Sequence, residues 1–156
     1  APMSNFDFIE TDIFVGSCLA STMDVNRLVR DLKVTAVLCL QSDEDFKTYH
    51  LPINEIREAC KLNGISWVQC PIIDFDPEDM ARGIHEPVDA LNELLSSGER
   101  VYVHCTVGIC RSPATVVGYL HKYRGMSLDA ALELVKLNRP IANPYMSALK
   151  IAFSQE

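Results

Sequence analysis

VYVHCTVGICRSP, residues 101–113, is the stretch that decides how this chain of 156 residues is read. Val101, Tyr102 and Val103 are β-formers and predict a short buried strand. Cys105 follows, then five residues, then Arg111. Gly108 lies within that loop, where the backbone has to curl. Ser112 suits a helix cap, and Pro113 suits its first turn because the missing N–H is unpaired there in any case. Ala114 to Tyr123 then carries apolar residues at helical spacing. A Cys and an Arg six places apart are weak evidence alone: six cysteines and eight arginines yield about 0.3 such pairs from composition. The order strand, cysteine, glycine, arginine, serine, proline makes the signal specific.

The chemistry that suits this order is phosphate chemistry. N–H groups of Thr106, Val107, Gly108, Ile109 and Cys110, between Cys105 and Arg111, can converge into an anion nest at a helix N-terminus. Arg111 can hold two phosphate oxygens in a planar fork, which a lysine cannot. Cys105 is then the nucleophile, and His104 would lie beneath the loop and orient it. The bland alternatives are a structural cysteine beside a surface arginine and a core imidazole. A sulfur nucleophile needs an acid to protonate the leaving oxygen. Asp74 and Asp76 lie on a loop after a predicted strand, where ligand chemistry gathers in open α/β sheets, and Asp74 is the favoured acid. Asp79 reads as a helix cap. Ser112 can cap its helix, and its hydroxyl can also steady the thiolate that departs when water cleaves a phosphocysteine.

Composition narrows the classes. The length gives one domain, spanning 1–156, with a core of its own. The first five residues, beginning Ala1-Pro2-Met3-Ser4, read as a disordered or non-native leader. The chain is 48% hydrophobic with a formal charge of −7, which disfavours nucleic acid and anionic membrane as partners; a monomer is expected. Six cysteines without paired spacing point to reduced thiols in an intracellular compartment. No motif calls for a metal or cofactor, and no apolar run has membrane-spanning length.

The pattern along the chain predicts strands at Phe6–Ile9, Thr11–Val15, Val34–Leu40, Ile65–Gln69 and Arg100–His104. Helices are predicted at Ser21–Lys33, Pro52–Leu62, Met80–Leu95, Ser112–Tyr123, Ser127–Leu137 and Pro144–Phe153, with Gln41–His50 a polar loop. Strands alternating with helices imply an α/β fold, a central, mainly parallel sheet flanked by helices.

HCTVGICRS, residues 104–112, resembles the HCxxGxxRS loop of the dual-specificity phosphatases, and the tail from Asn138-Arg139-Pro140 to Leu149 resembles their last-helix region. IFVGS at 13–17, LCLQSDED at 38–45 and DFD at 74–76 narrow the resemblance to the plant glucan phosphatases and laforin-type enzymes. It covers about Phe8 to Ala152. It implies the cysteine-dependent phosphatase fold, with Cys105 as nucleophile, Arg111 as phosphate binder and Asp74 as general acid, and a plastid or cytoplasmic site. It also implies that Phe75 lines a glucan channel and that Phe46 and Tyr49 lie in an aromatic recognition loop. The reading expects no carbohydrate-binding module beside them, so glucan contact is expected from the catalytic domain itself. The family loop commonly has Ala and Gly where this chain has Val107 and Cys110, and paired aromatics where it has Thr48-Tyr49-His50.

Chemistry independent of the resemblance also suits a phosphorylated glucan, since sugar faces stack on aromatic rings. The alternative is that Phe46 and Phe75 plug ordinary loops; Trp67 reads as core. A dual-specificity protein phosphatase acting on phosphotyrosine and phosphoserine/threonine fits the same catalytic residues. A phosphoinositide phosphatase is disfavoured because residues 106–110 hold no cation. A binding-only pseudophosphatase would need a defect at Val107 or Cys110. Cys39, at the end of a predicted strand beside the one leading to Cys105, is a candidate partner for a reversible disulfide with Cys105, with Cys110 as competitor.

Overall fold

A computed structural model describes residues 5–154. The expectation of a disordered leader therefore falls, Asn5 apart, outside the described residues. Five strands form one sheet: β1 (Phe6–Glu10), β2 (Ile13–Gly16), β3 (Ala36–Cys39), β4 (Ser66–Gln69) and β5 (Val101–His104), in the order β1-β2-β5-β3-β4. β1 runs antiparallel to β2; the pairs β2/β5, β5/β3 and β3/β4 are parallel. The helices are α1 (Thr22–Arg30), α2 (Asp43–Thr48), α3 (Ile53–Leu62), α4 (Pro77–Gly83), α5 (His85–Ser96), α6 (Arg111–Arg124), α7 (Leu128–Asn138) and α8 (Met146–Ala152).

Alternation within the strands explains the three layers. Ile13, Val15, Ala36, Leu38, Val101 and Val103 face one core, which they share with the α4–α8 side. The residues between them, Phe14, Val37 and Tyr102, face a second core with Val25 and Leu28 of α1 and Ile56 and Cys60 of α3. A parallel sheet has to be covered on both faces, and here both are.

Three expectations are corrected. Gln41–His50 is not simply a loop: Ser42 and Asp45 form a reciprocal capping box that starts α2. The helix expected at 80–95 is two helices, α4 and α5, that meet at Ile84. Asp79 is not the cap of α4. Asp76 is, accepting from the Asp79 N–H at 2.9 Å, while the Asp79 carboxylate reaches back to the Ile73 N–H at 2.8 Å. The loops after β3, β4 and β5 leave the same carboxyl edge of the sheet, the usual place for a site in such folds.

Candidate active site

The loop after β5 is shaped by where its carbonyls go. The Thr106 carbonyl accepts from the Cys18 N–H at 3.0 Å, and the Ile109 carbonyl accepts from the Asn143 N–H at 2.6 Å. In a trans peptide the carbonyl and the next N–H point opposite ways, and the described residues contain no cis peptide. Tying carbonyls into the scaffold therefore turns the N–H groups of Val107 and Cys110 the other way, toward the cavity. Gly108 makes the turn at φ 73°, and a Cβ there would lie 2.6 Å from the Gly16 carbonyl oxygen.

Cys105 and Arg111 face each other across this loop. The cavity they share holds about 240 Å³ and is also lined by Asp74, Phe75, Val107 and Tyr145. Arg111 is only 2% exposed. Its Nη1 donates to Asp45 Oδ2 at 2.7 Å and to the Ile72 carbonyl at 2.9 Å. Its Nη2 donates to Thr106 Oγ1 at 3.1 Å and lies 3.3 Å from Asp74 Oδ2. Burial is the largest single influence and works against the cation, but the Asp45 hydrogen bond together with the charges of Cys105, Asp45 and Asp74 outweighs it, and the guanidinium sits above its ordinary pKa. The Nε–H is buried without a partner. An unsatisfied buried donor on a charged group costs at least about 1–3 kcal/mol. An anion that reached this N–H would remove that cost.

Ser112 is not the cap of α6. It lies inside the helix, fully buried, with Oγ 3.3 Å from Cys105 Sγ. His104 Nδ1–H donates to the Cys105 carbonyl at 3.0 Å, and burial pushes the imidazole down to about 4, so it is neutral. Asp74 Oδ1 accepts the Phe75 N–H at 3.2 Å. Phe75 itself is 80% exposed, at φ 59°, a conformation that strains a bulky side chain.

The structure separates the three aromatic candidates. Phe75 lines the cavity. Tyr49 is exposed but does not line it. Phe46 is corrected: it is 6% exposed, held in place because α2 is a helix, and it borders a different groove of about 680 Å³ with Lys47 and His50. Trp67 is half-buried beneath Arg57, whose guanidinium carbon lies 4.8 Å from the ring centroid. Cys39 is buried at the end of β3, in register with His104, and burial pushes its thiol up strongly. Burial pushes Cys110 up to about 11. Two contributors were missed from sequence: Asp45, which holds Arg111, and Gln41, whose amide donates to Thr106 Oγ1 at 3.1 Å. Both lie in the LCLQSDED stretch that carries the resemblance, which gave neither a role; the Ser42…Asp45 capping signature could have singled out Asp45, and no local pattern assigns Gln41 its contact. Among the described residues no group of three His, Cys, Asp or Glu could hold a metal, and no helix is long and apolar enough to cross a membrane.

Residues 17–152 match the family model described as dual specificity phosphatase, catalytic domain. The chain belongs to this family. Among curated relatives, the amyloplastic phosphoglucan phosphatase DSP4 of Castanea sativa is 35% identical over 95% of this chain. Laforin of Mus musculus is 30% identical over 87% of it. The chain spans only 40% and 44% of the lengths of these two relatives. The solved structure of PTPMT1 superposes with a TM-score of 0.77 at 21% identity, covering 96% of this chain and 92% of that one. That likeness supports the dual-specificity phosphatase fold.

Proposed function

We propose that this domain hydrolyses phosphate monoesters through a phosphocysteine on Cys105, and that its substrate is a phosphorylated glucan. The observation that carries the chemistry is the buried, unpartnered Nε–H of Arg111 beside a cysteine under a loop of inward N–H groups. The ester's non-bridging oxygens accept from the loop amides and from Nε and Nη2 of Arg111. The Sγ–P bond forms as the P–O ester bond breaks, and Asp74 gives a proton to the departing oxygen. Phosphate entering the fork takes Nη2 from Asp74 and frees that carboxyl to meet the ester oxygen. Water then attacks phosphorus, Asp74 accepts its proton, and Ser112 Oγ donates to the leaving sulfur. No cofactor takes part.

The glucan reading is supported by Phe75, an exposed ring beside the acid, and by the relatives, which include a phosphoglucan phosphatase and laforin. Thr106 to Cys110 offer no second cation for a multiply phosphorylated headgroup. The amyloplastic relative makes a plastid the proposed compartment. The test is phosphate release from solubilised amylopectin, phosphotyrosine and phosphothreonine peptides, and phosphoinositides. Amylopectin should be preferred, and Cys105→Ser should lose at least roughly 10⁴-fold in turnover while still binding tungstate. Preference for phosphopeptides would replace the glucan with a protein substrate; turnover surviving Cys105→Ser would end the phosphocysteine mechanism.

A further inference from the structure

Two loop carbonyls remain, those of Val107 and Gly108, and one side chain takes both. Arg139, at the carboxyl end of α7, donates through Nε to the Gly108 carbonyl at 2.7 Å and through Nη2 to the Val107 carbonyl at 3.2 Å. Its remaining edge, Nη1, donates to Asp7 Oδ2 at 2.8 Å. The Arg139 side chain is 0% exposed and Asp7 is 39% exposed. Arg139 thus lies behind the loop and shares no surface with the cavity of Cys105. A Cβ on Gly108 would meet Arg139 Nη2 at 2.7 Å, so the fit between loop and guanidinium tolerates no added atom.

We propose that Arg139, set by Asp7, is a positioning residue for the phosphate loop; this rests on the phosphatase reading above. By the geometry of trans peptides, pinning the carbonyls of Val107 and Gly108 backwards turns the N–H groups of Gly108 and Ile109 toward the ligand. With Cys18 and Asn143 holding the flanking carbonyls, Arg139 completes an unbroken run of four carbonyls, 106 to 109, held by the scaffold. Only a planar fork can serve two adjacent carbonyls and a carboxylate together; an ammonium on a flexible stem cannot. Asp7 neutralises a cation that has no water around it and fixes the plane of the fork. The antiparallel β1/β2 ribbon, which carries no catalytic group, is thereby coupled to the ligand site through one ion pair.

The experiment measures tungstate binding by calorimetry, together with kcat and KM for a generic aryl phosphate, on Arg139→Lys, Asp7→Asn and Asp7→Glu. Arg124→Gln is the control: it breaks another bond from β1, the 2.7 Å pair with Glu10, far from the loop. Arg139→Lys should weaken tungstate binding about tenfold or more and lower kcat similarly, as expected when oxyanion donors lose alignment. Asp7→Asn should weaken tungstate binding several-fold, Asp7→Glu should recover part of it, and Arg124→Gln should leave tungstate binding unchanged. A purely structural pair would lower melting temperature in every variant and leave tungstate binding within twofold of the parent; that result overturns the inference. If Arg139→Lys does not fold, Asp7→Asn, at a half-exposed position, decides by the same criterion. Binding needs no turnover. A chain whose tungstate affinity depends on Arg139 but which releases no phosphate defeats the proposed function and leaves this inference standing.

Discussion

Two loops meet over the cavity, and they are built on opposite principles. The 105–111 loop is held from outside: its carbonyls are taken by scaffold donors, its arginine is 2% exposed, and its glycine touches neighbouring backbone. The 70–76 loop is held mostly at its ends. Cys70 and Ile72 pair with β3 and its extension, and Asp76 caps α4, but between them Ile73 and Phe75 stand in solvent and Phe75 is strained. A group that must match a phosphoryl transfer has to be fixed to within a fraction of an ångström, whereas a surface that meets a polymer needs exposure and some give. The loop that does both, carrying the acid and the ring, is anchored at Asp74 through Arg111 and loose one residue later.

The sharpest way to break this contrast is to exchange the roles within the second loop. Asp74→Asn should lower kcat on alkyl phosphates by about 10²–10⁴-fold and much less on aryl phosphates, whose leaving groups need little help. Asp76→Ala should instead cost about 1 kcal/mol of stability through the lost cap and leave kcat near the parent value. Steady-state kinetics on both ester classes, with thermal melts, checks the pair. Damage to catalysis from Asp76→Ala would move the acid two residues along the chain.

Next in size is Asp45, the anchor of the rigid side. Removing one member of a buried ion pair costs about 3–5 kcal/mol where the partner charge is left uncompensated; Asp74 still faces Arg111 at 3.3 Å, so the loss should fall at the low end of that range or below it. Asp45→Ala also deletes half of the capping box of α2. Denaturant unfolding should show that loss, and phosphate affinity should fall as Arg111 becomes free to rotate. A variant that keeps its stability but loses affinity would mean that Asp45 orients Arg111 without compensating it.

These residues also mark how far the sequence could be read. Cys105, Arg111 and the strand leading to them were legible because local pattern and chemistry agree on them: β-formers, a glycine at positive φ, and a proline suited to a first helical turn. All five strands were placed to within two residues. Asp45 was passed over because its capping signature lay in a segment taken for loop, and Phe46 was misjudged with it: once α2 is a helix, that ring turns into the protein. Ser112 was given a cap it does not need, because the helix begins one residue earlier. Gln41 and the carbonyl partners Cys18 and Asn143 are distant in sequence from the loop they hold. No local pattern reports contacts across the sheet.

Acid should loosen the rigid loop before it touches the exposed one. His104 sits directly under the loop, and burial lowers its pKa from the ordinary 6.5 to about 4. Unfolded chain therefore takes up a proton below about pH 6.5 that the folded chain refuses until about pH 4. The stability that neutral His104 contributes is present above this window and is lost as the pH falls through it. Unfolding free energy measured from pH 7.5 to 4.5 should drop more steeply for the parent than for His104→Asn. Parallel slopes would assign the acid sensitivity to the carboxylates.

The smallest effect tests the exposed half of the contrast, and its two readouts should move in opposite directions. Phe75→Asn removes the ring and places at φ 59° a residue that visits the left-handed region readily. Relief of backbone strain should raise stability by about 1 kcal/mol, a shift of roughly 2–4 °C in Tm for a chain of this size. Loss of the stacking face should raise KM for amylopectin several-fold, in line with about 1 kcal/mol for an aromatic contact. Inhibition by inorganic phosphate should not change, since the phosphate contacts come from the other loop. Stability gained while polymer affinity is lost would mean that the strain at residue 75 is retained for binding. If Tm rises and amylopectin kinetics stay the same, the ring is a surface accident, and the glucan contact has to be sought elsewhere on the rim, at Tyr145 or Val107.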